Sequence, residues 1–381
     1  MHLRGLDMTL KKIRLGDYLI PYKEKCGIPD LTPYDISGVN KDKEFFEPSR
    51  QTGEDTTNYQ NVPPGYFACN LMHVGRDKVL PIAYNHTSTV KHVSPAYSIF
   101  RIKENNDLLD YYFFIYLKSD ERDRFFWFNT DASVRDGMTW DDLCNVELNV
   151  PPLTVQQKYV DVYNAMLANQ KSYERGLEDL KLTCDAYIED LRRKTPCEPI
   201  GPYIERCDVR NGKNGTKNVM GVSTSKEFRE PTSKVNRDEL ANYKLVKPRQ
   251  ISFVQTTHNE KVFAYAFNNT DKDIVVTSVN EVFSVNEDKI LPEYLSMFFN
   301  RTEFDRYARF HSWGSARETF TWDDLIKVEI PIADMTIQKS IANIYIAYKQ
   351  RKEINERLKN QIKNICPILI KGSIEEARKE A

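Results

Sequence analysis

"TWDDL" occupies residues 139–143 and returns at 321–325, a shift of 182 residues. A five-residue match decides little until it extends, and this one extends in both directions. At the same shift Ser133 and Arg135 meet Ser315 and Arg317, and Val146-Glu147-Leu148 meets Val328-Glu329-Ile330. Thr154-Val155-Gln156 meets Thr336-Ile337-Gln338, and Tyr163 meets Tyr345. Upstream, Tyr112 meets Tyr294 and Asp123-Arg124 meets Asp305-Arg306. With the shift relaxed to 183, Gly38-Val39 meets Gly221-Val222 and Phe100 meets Phe283; at 184, Tyr59, Val62 and Pro64 meet Tyr243, Val246 and Pro248. At 185, Gly16 and Tyr18 meet Gly201 and Tyr203. So small a drift is what a few loop insertions leave. The chain reads as one unit of about 180 residues written twice, and a period that long means two homologous domains, not a solenoid.

Each copy has two parts. The first (13–150 and 198–332) is rich in Tyr, Phe, Val, Asn, Gly and Pro, and runs such as Lys261–Phe267 read as strands bounded by turn residues. A short helix is expected over 107–126 and again over 289–308. The second part (154–194 and 336 to about 378) loses its turn residues and becomes charged and periodic. Val155, Tyr159, Val162, Met166, Asn169 and Tyr173 alternate steps of four and three; after one extra four-residue step Leu177, Leu180, Cys184, Tyr187 and Leu191 resume them. Ile337, Ile341, Ile344, Tyr348, Arg351, Asn355, Leu358, Ile362, Ile365 and Leu369 keep the pattern unbroken. These are heptad seams, the first with a stutter near 173–177. Pro151-Pro152 followed by Thr154 and Gln157 predicts a capping box at the first helix start, and Thr195-Pro196 predicts its stop. Pro367 predicts a kink or break near Cys366.

Two like seams in one chain are best covered by each other, and a two-fold relation between like units makes the pair antiparallel. The expected fold is α+β: two homologous mixed, mostly β globular domains (1–152 and 197–333) separated by two long antiparallel coiled-coil helices (153–196 and 334–381), pseudo-two-fold symmetric. The residues expected in the seam or against a partner are Val155, Tyr159, Val162, Met166, Leu177, Leu180, Ile337, Ile341, Ile344, Tyr348, Leu358 and Ile362.

Composition narrows the function. Of 381 residues 40% are apolar and 12% aromatic, enough for well-filled cores and too much for overall disorder. Seven cysteines, an odd number without a CxxC pair, argue against a disulfide framework or zinc site and for a reduced, cytoplasmic chain. Apolar runs such as Tyr111–Leu117 are too short to span a bilayer, and the start "MHLRGLDMTLKK" lacks a signal-peptide core. With a net charge of −1, nucleic-acid binding requires the basic residues to be gathered on one face.

Catalytic motifs are missing. No P-loop is present, and "NVPPG" (61–65) and "NVPPL" (149–153) put Val inside an Asn-Pro-Pro-aromatic methyltransferase motif and lack the aromatic. Asp42, Lys43 and Glu44 are close but unsupported as a nuclease site, and six histidines show no ligand spacing. Neither a catalytic residue nor a metal site is expected. Asp141-Asp142 and Asp323-Asp324 are adjacent and point different ways, so they read as turn or partner contacts beside Trp140 and Trp322 as core anchors.

Basic and aromatic residues interleave in "KDKEFFEPSR" (41–50), "HVGRDK" (73–78), "SKEFREPTSK" (225–234) and "QTTHNEK" (255–261). Such side chains hold phosphates and read base edges. The candidate DNA contacts are Lys41, Lys43, Arg50, His73, Arg76, Lys78, Lys226, Arg229, Lys234, His258 and Lys261. Arg135 in "SVRDG" and Arg317 in "SARET" join them, although each has a neighbouring acid, Asp136 or Glu318, with which it could simply pair.

"GYFACNLMHVGRDKV" and "SPAYSIFRI" in the first copy, with "TWDDLCNVELNVPPLTVQQ" and its counterpart "TWDDLIKVEIPIADMTIQK", resemble the specificity subunit of type I restriction–modification systems. The resemblance runs over nearly the whole chain. It implies two target recognition domains, each reading one half of a split sequence in double-stranded DNA. The paired helices would act as a spacer that docks two methyltransferase (modification) subunits. S-adenosylmethionine would sit on those subunits, ATP and Mg on restriction/translocase subunits, and no cofactor on this chain. It would then be a non-catalytic subunit of a type I restriction endonuclease and adenine-specific DNA methyltransferase complex. Val155 and Ile337 stand where the family often has an acid, and Ala333-Asp334 replaces the Pro pair of the first copy. The alternative is a duplicated protein-interaction scaffold that binds no DNA.

Overall fold

The structure, a computed structural model, describes residues 10–47, 55–104, 107–130, 137–213, 215–256, 262–314 and 318–379. The chain forms two compact units, one of residues 1–171 with 356–381 and one of residues 172–355.

The first unit runs through β1 (Lys11–Arg14), β2 (Leu19–Tyr22), β3 (Gly38–Val39), β4 (Phe45–Phe46), β5 (Gln60–Val62), β6 (Phe67–Cys69), α1 (Val74–Asp77), β7 (Ile82–Tyr84), β8 (Lys91–Val93) and β9 (Ser98–Ile102). Then come α2 (Asp110–Leu117), α3 (Asp120–Phe128), α4 (Trp140–Cys144), β10 (Glu147–Val150) and the start of the long α5 (Leu153–Lys194). The second unit holds the end of α5, then β11 (Cys197–Pro199), β12 (Ile204–Arg206), β13 (Gly221–Val222), β14 (Phe228–Arg229), β15 (Lys244–Val246), β16 (Ile251–Val254), β17 (Tyr265–Phe267), β18 (Ile274–Val276) and β19 (Asn280–Val285). It continues through α6 (Pro292–Phe299), α7 (Thr302–Phe310), α8 (Trp322–Leu325), β20 (Glu329–Pro331) and the start of α9 (Met335–Lys379), whose last part belongs to the first unit.

The two units repeat one topology. A four-stranded antiparallel sheet has the order β2-β9-β6-β7 in the first and β12-β19-β16-β17 in the second. Two-stranded pairs β1-β10, β3-β4 and β5-β8 correspond to β11-β20, β13-β14 and β15-β18. Aromatic residues fill the space between sheet and helices: Phe67 stacks on Phe100 at 5.0 Å and meets Phe113 of α2 edge-on at 5.6 Å. In the second unit Phe263 meets Phe299 and Phe304 edge-on.

The single short helix expected in each copy is a pair. Ser119 adopts extended backbone, and its side chain accepts a hydrogen bond from Arg122 N, which starts α3 anew after α2 ends. Ser at an N-cap favours such a restart because its oxygen satisfies an orphan donor. Arg301, also extended, makes the same break between α6 and α7.

The duplicated TWDDL motif is a capping box. Thr139 Oγ1 accepts from Asp142 N at 3.1 Å while Asp142 Oδ2 accepts from Thr139 N at 2.9 Å. Thr321 and Asp324 exchange the same bonds at 3.3 and 2.9 Å. Trp140 lies 5.5 Å from Phe100 and Trp322 lies 5.8 Å from Phe283. Asp142 and Asp324 are therefore turn contacts, and the tryptophans pack on the cores.

The capping box expected at Thr154 and Gln157 is not there. Thr154 already lies inside α5, and Gln157 bonds Asp161 one turn on at 2.8 Å. The neighbouring Gln156 does the structural work. Its buried amide accepts from Leu109 N at 3.0 Å and donates to the carbonyls of Asp107 and Pro151 at 2.6 and 2.7 Å. Gln338 accepts from Leu291 N at 2.9 Å and donates to the carbonyls of Lys289 and Ala333, each at 2.8 Å. Each glutamine ties the first turn of a long helix to the loop that opens α2 or α6.

The long helices run antiparallel where they meet inside each unit. In the first, Tyr159 reaches Glu376 at 3.1 Å while Val160 and Tyr163 share a core with Ile362, Cys366, Leu369 and Ile370. In the second, Cys184, Ile188 and Leu191 share a core with Ile341 and Tyr345. The stripe is wider than a two-helix seam and turned toward the heads. Gln156, Val160, Tyr163 and Gln170 are buried, whereas Val162 is 43% exposed and Asn169 is exposed, which corrects their assignment to the seam. A helix that covers an aromatic domain as well as another helix needs a broader apolar face than a strict coiled coil. The other expected seam residues, Val155, Tyr159, Met166, Leu177, Leu180, Ile337, Ile341, Ile344, Tyr348, Leu358 and Ile362, are buried or half-buried. Of the kink or break expected near Cys366, the break is absent: α9 continues through Pro367, held on either side by Ile362, Cys366, Leu369 and Ile370 in the core.

Gln156→Leu keeps the volume but leaves Leu109 N–H and two carbonyls without their partner. A loss of roughly 1–3 kcal/mol is expected, read as a lower urea midpoint with an unchanged slope, and Gln338→Leu should behave alike.

Candidate nucleic-acid interface

Lys43 sits in the turn between β3 and β4 at φ 63°, a left-handed conformation uncommon for lysine. Its Nζ lies 2.6 Å from Asp123 Oδ1 on α3 and donates to the carbonyl of Leu80 at 3.0 Å, with 4% of the side chain exposed. Leu80 N donates to the same carboxylate at 3.0 Å. Burial pushes the lysine down from its ordinary value and Asp123 up, against their mutual attraction. The second unit repeats the arrangement. Lys226, also at φ 63°, bonds Asp305 and the carbonyl of Phe299, and Phe263 N donates to Asp305 Oδ1 at 3.0 Å.

Lys43 and Lys226 thus leave the set of candidate DNA contacts. Their ammonium groups are buried in ion pairs that pin α3 and α7 against a hairpin, and a charge so enclosed cannot also reach a phosphate. The pairing explains the repeated Asp-Arg dipeptide: Asp123 and Asp305 turn inward, and Arg124 and Arg306, one residue on, are exposed.

Four other candidates do come together on the first unit. Arg76 donates twice to Asp77 at 3.1 Å and to His73 Nδ1 at 3.0 Å. A guanidinium only donates, so His73 Nδ1 is the acceptor. Lys41 Nζ stands 3.8 Å from Asp77. Lys78, at φ 54°, places Nζ 4.7 Å from the centre of the Trp127 ring on α3. The Arg76 bonds hold the Asp77 carboxyl below its usual range; burial, then the Arg76 charge, lowers His73, so it is a neutral hydrogen-bonding group at pH 7. Lys41, Arg76 and Lys78 are exposed and form a cationic rim around one fixed carboxylate.

In the second unit Arg229 ends β14 and Lys234 lies in the following loop, both exposed. Arg50, Arg135, His258, Lys261 and Arg317 lie outside the described residues. Sequence reasoning missed the aromatic component. Phe125, Trp127 and Phe128 on α3 and Phe310 and Trp313 at the end of α7 are exposed. "DRFFWF" and "DRYARF" carry the available clue, since aromatic residues on several faces of one short helix cannot all be buried.

Residues 202–364 match the family described as type I restriction modification DNA specificity domain. Among solved structures, the chain is similar to the type I restriction–modification system S subunit from M. genitalium, at 10% identity over 98% of both chains with a TM-score of 0.56, a likeness of fold. The HsdS subunit from Thermoanaerobacter tengcongensis aligns at 12% identity over 98% of both chains with a TM-score of 0.42. No curated protein matches the chain. The family match lies wholly within the second copy, and the first repeats its sheet order, capping box, glutamine tie and buried ion pair. By that match the second copy carries a type I restriction modification DNA specificity domain, and the whole chain has the fold of an S subunit. Sequence specificity toward DNA is the role that the matched domain carries. Among the described residues no helix is long and apolar enough to cross a membrane.

Lys43→Met keeps the side-chain stem but leaves Asp123 buried without its cation. A loss of about 3–5 kcal/mol is expected at neutral pH. A lone buried carboxyl has a folded pKa above its unfolded value, so the deficit is largest above that folded pKa and shrinks as the pH falls through it and Asp123 takes a proton. Denaturation at several pH values checks this; a deficit that stays constant on acidification would contradict the buried pairing.

Proposed function

We propose that this chain is the cytoplasmic reader and ruler of its complex: each globular part, 1–152 and 197–333, reads one half of a split target in double-stranded DNA. The observation that carries the reading is a repeated scaffold with unlike loops. The sheet order, capping boxes, glutamine ties and Lys–Asp pairs are the same in both copies. Around those buried lysines the loop sequences differ: "KDKEFFEPSR" has become "SKEFREPTSK". Two equal frames with different surfaces suit two different half-sites.

In this reading Lys41, Arg76 and Lys78 with His73, and Arg229 with Lys234, contact the duplex. Arg50, Arg135, His258, Lys261 and Arg317 are assigned with them from their sequence setting. Cations on phosphates give salt-sensitive affinity, and a few side chains on base edges give discrimination of ~1–3 kcal/mol per bidentate contact. The long helices dock two methyltransferase subunits, which bring S-adenosylmethionine; ATP and Mg belong to restriction/translocase subunits. The number of helical residues between the readers then sets the number of base pairs skipped.

Two outcomes follow. Arg76→Ala should weaken binding similarly across sequences and reduce the log–log salt slope by about 1. Matched seven-residue insertions in α5 and α9, each adding roughly 10 Å, should lengthen the recognised gap by about three base pairs and leave both half-sites unchanged. Methylation mapping in a host carrying this gene with its modification partner reads the second outcome directly. An unchanged gap would overturn the ruler, and an absence of salt-dependent DNA affinity in the assembled complex would overturn the reader.

A further inference from the structure

The most exposed large aromatic side chains on the short helices are Phe128, 87% exposed at the end of α3, and Phe310, 82% exposed at the end of α7. They are equivalent positions of the two copies. The residues between them and the buried aspartates have diverged: Phe126 is a core residue in one unit where Ala308 fills the place in the other, and Trp127 corresponds in sequence to Arg309. What the copies share is an outward arginine, Arg124 or Arg306, followed four residues later by an outward phenylalanine. Four residues is one turn, so each pair lies on one face of its helix. The buried Lys43–Asp123 and Lys226–Asp305 pairs fix the root of that face. Among the described residues, packing within the unit does not account for an apolar ring exposed at the same place twice, since burial is where such a ring contributes.

The surroundings identify the occupant. In the first unit Lys78 lies over Trp127, and Arg76 and Lys41 gather beside it on Asp77. In the second, Arg306 and Arg309 are exposed on α7, His311 packs against Phe310 at 5.1 Å, and Trp313 is exposed just beyond. An apolar ring inside a cationic rim is complementary to a polyanion with apolar steps between its charges, which describes duplex DNA: side chains such as Phe enter between base pairs while arginine holds the adjoining phosphates.

Resting on the function proposed above, we propose that Phe128 and Phe310 are DNA wedges, each inserting at a base step of the half-site read by its own unit, with Arg124 and Arg306 on the flanking phosphates. The wedge contributes recognition through the deformability of the step it opens, beyond any base edge it touches.

The test uses the full chain co-expressed with its modification subunit and a duplex carrying the mapped target. 2-Aminopurine is placed in one half-site at a time, away from the methylated base. Phe128→Ala should abolish the binding-induced fluorescence rise in the first half-site alone and Phe310→Ala in the second alone. Each should weaken binding roughly 10-fold with an unchanged salt slope, and Phe128→Trp should restore it. Arg124→Ala should instead lower the salt slope. Since both rings are exposed, the alanine variants should fold as the parent does. Unaltered fluorescence and affinity in the alanine variants would overturn the wedge while leaving the reader intact. Loss of the modification subunit from the purified complex would overturn it too, by making the ring a protein contact. A parent complex without salt-dependent DNA binding would remove both proposals together.

Discussion

A helix of more than forty residues with one apolar face has to cover that face, and every other feature of this protein is arranged around that requirement. In each unit the cover is shared. The start of one long helix, the end of the other and the aromatic interior of a globular head form a single core. In the first unit Tyr112 of α2 shows the sharing at one atom, its buried hydroxyl 2.7 Å from Ser373 Oγ near the end of α9. In the second, Arg301 at the start of α7 reaches back to Asp185 and Glu189 near the end of α5. In each unit the head is therefore part of the helical core.

The polar groups buried in that arrangement are repeated with unusual fidelity. Gln156 and Gln338 bond equivalent backbone atoms, and Lys43 and Lys226 share a left-handed backbone angle, a carboxylate partner and a carbonyl partner. A buried polar group without its partner costs more than most apolar substitutions. Two copies that drift in sequence can exchange one apolar residue for another, as Phe126 and Ala308 show, but can lose neither member of a buried ion pair singly. The buried polar residues are the better record of duplication for that reason, and the exposed loops are free to acquire different specificities.

Much of this was legible in the residue order. The duplication, the antiparallel long helices, the Trp anchors and the turn role of the Asp pairs all follow from local pattern and from symmetry between copies. The errors share a cause. Val162 and Asn169 fit a seam in sequence because a heptad rule assumes one neighbouring helix, whereas this helix has a head to cover as well. The capping box at Thr154 and Gln157 was drawn one residue away from Gln156, whose partners at Asp107 and Leu109 are distant in sequence. Lys43 reads as a DNA contact in sequence because a lysine in a charged loop looks solvated until its aspartate, 80 residues on, is seen beside it, and Lys226 reads likewise.

Sequence alone determined that one unit is written twice, that each copy ends in a long amphipathic helix, and that no catalytic motif accompanies them, because periodicity, repetition and motif spacing are local properties of the chain. Tertiary structure decided which charged residues are buried and which are exposed. Exposure is set by what packs against a residue from far along the chain, and neither Lys43, hidden by Asp123, nor Phe128, left outside while Phe126 two residues earlier is buried, carries that information in its own neighbourhood.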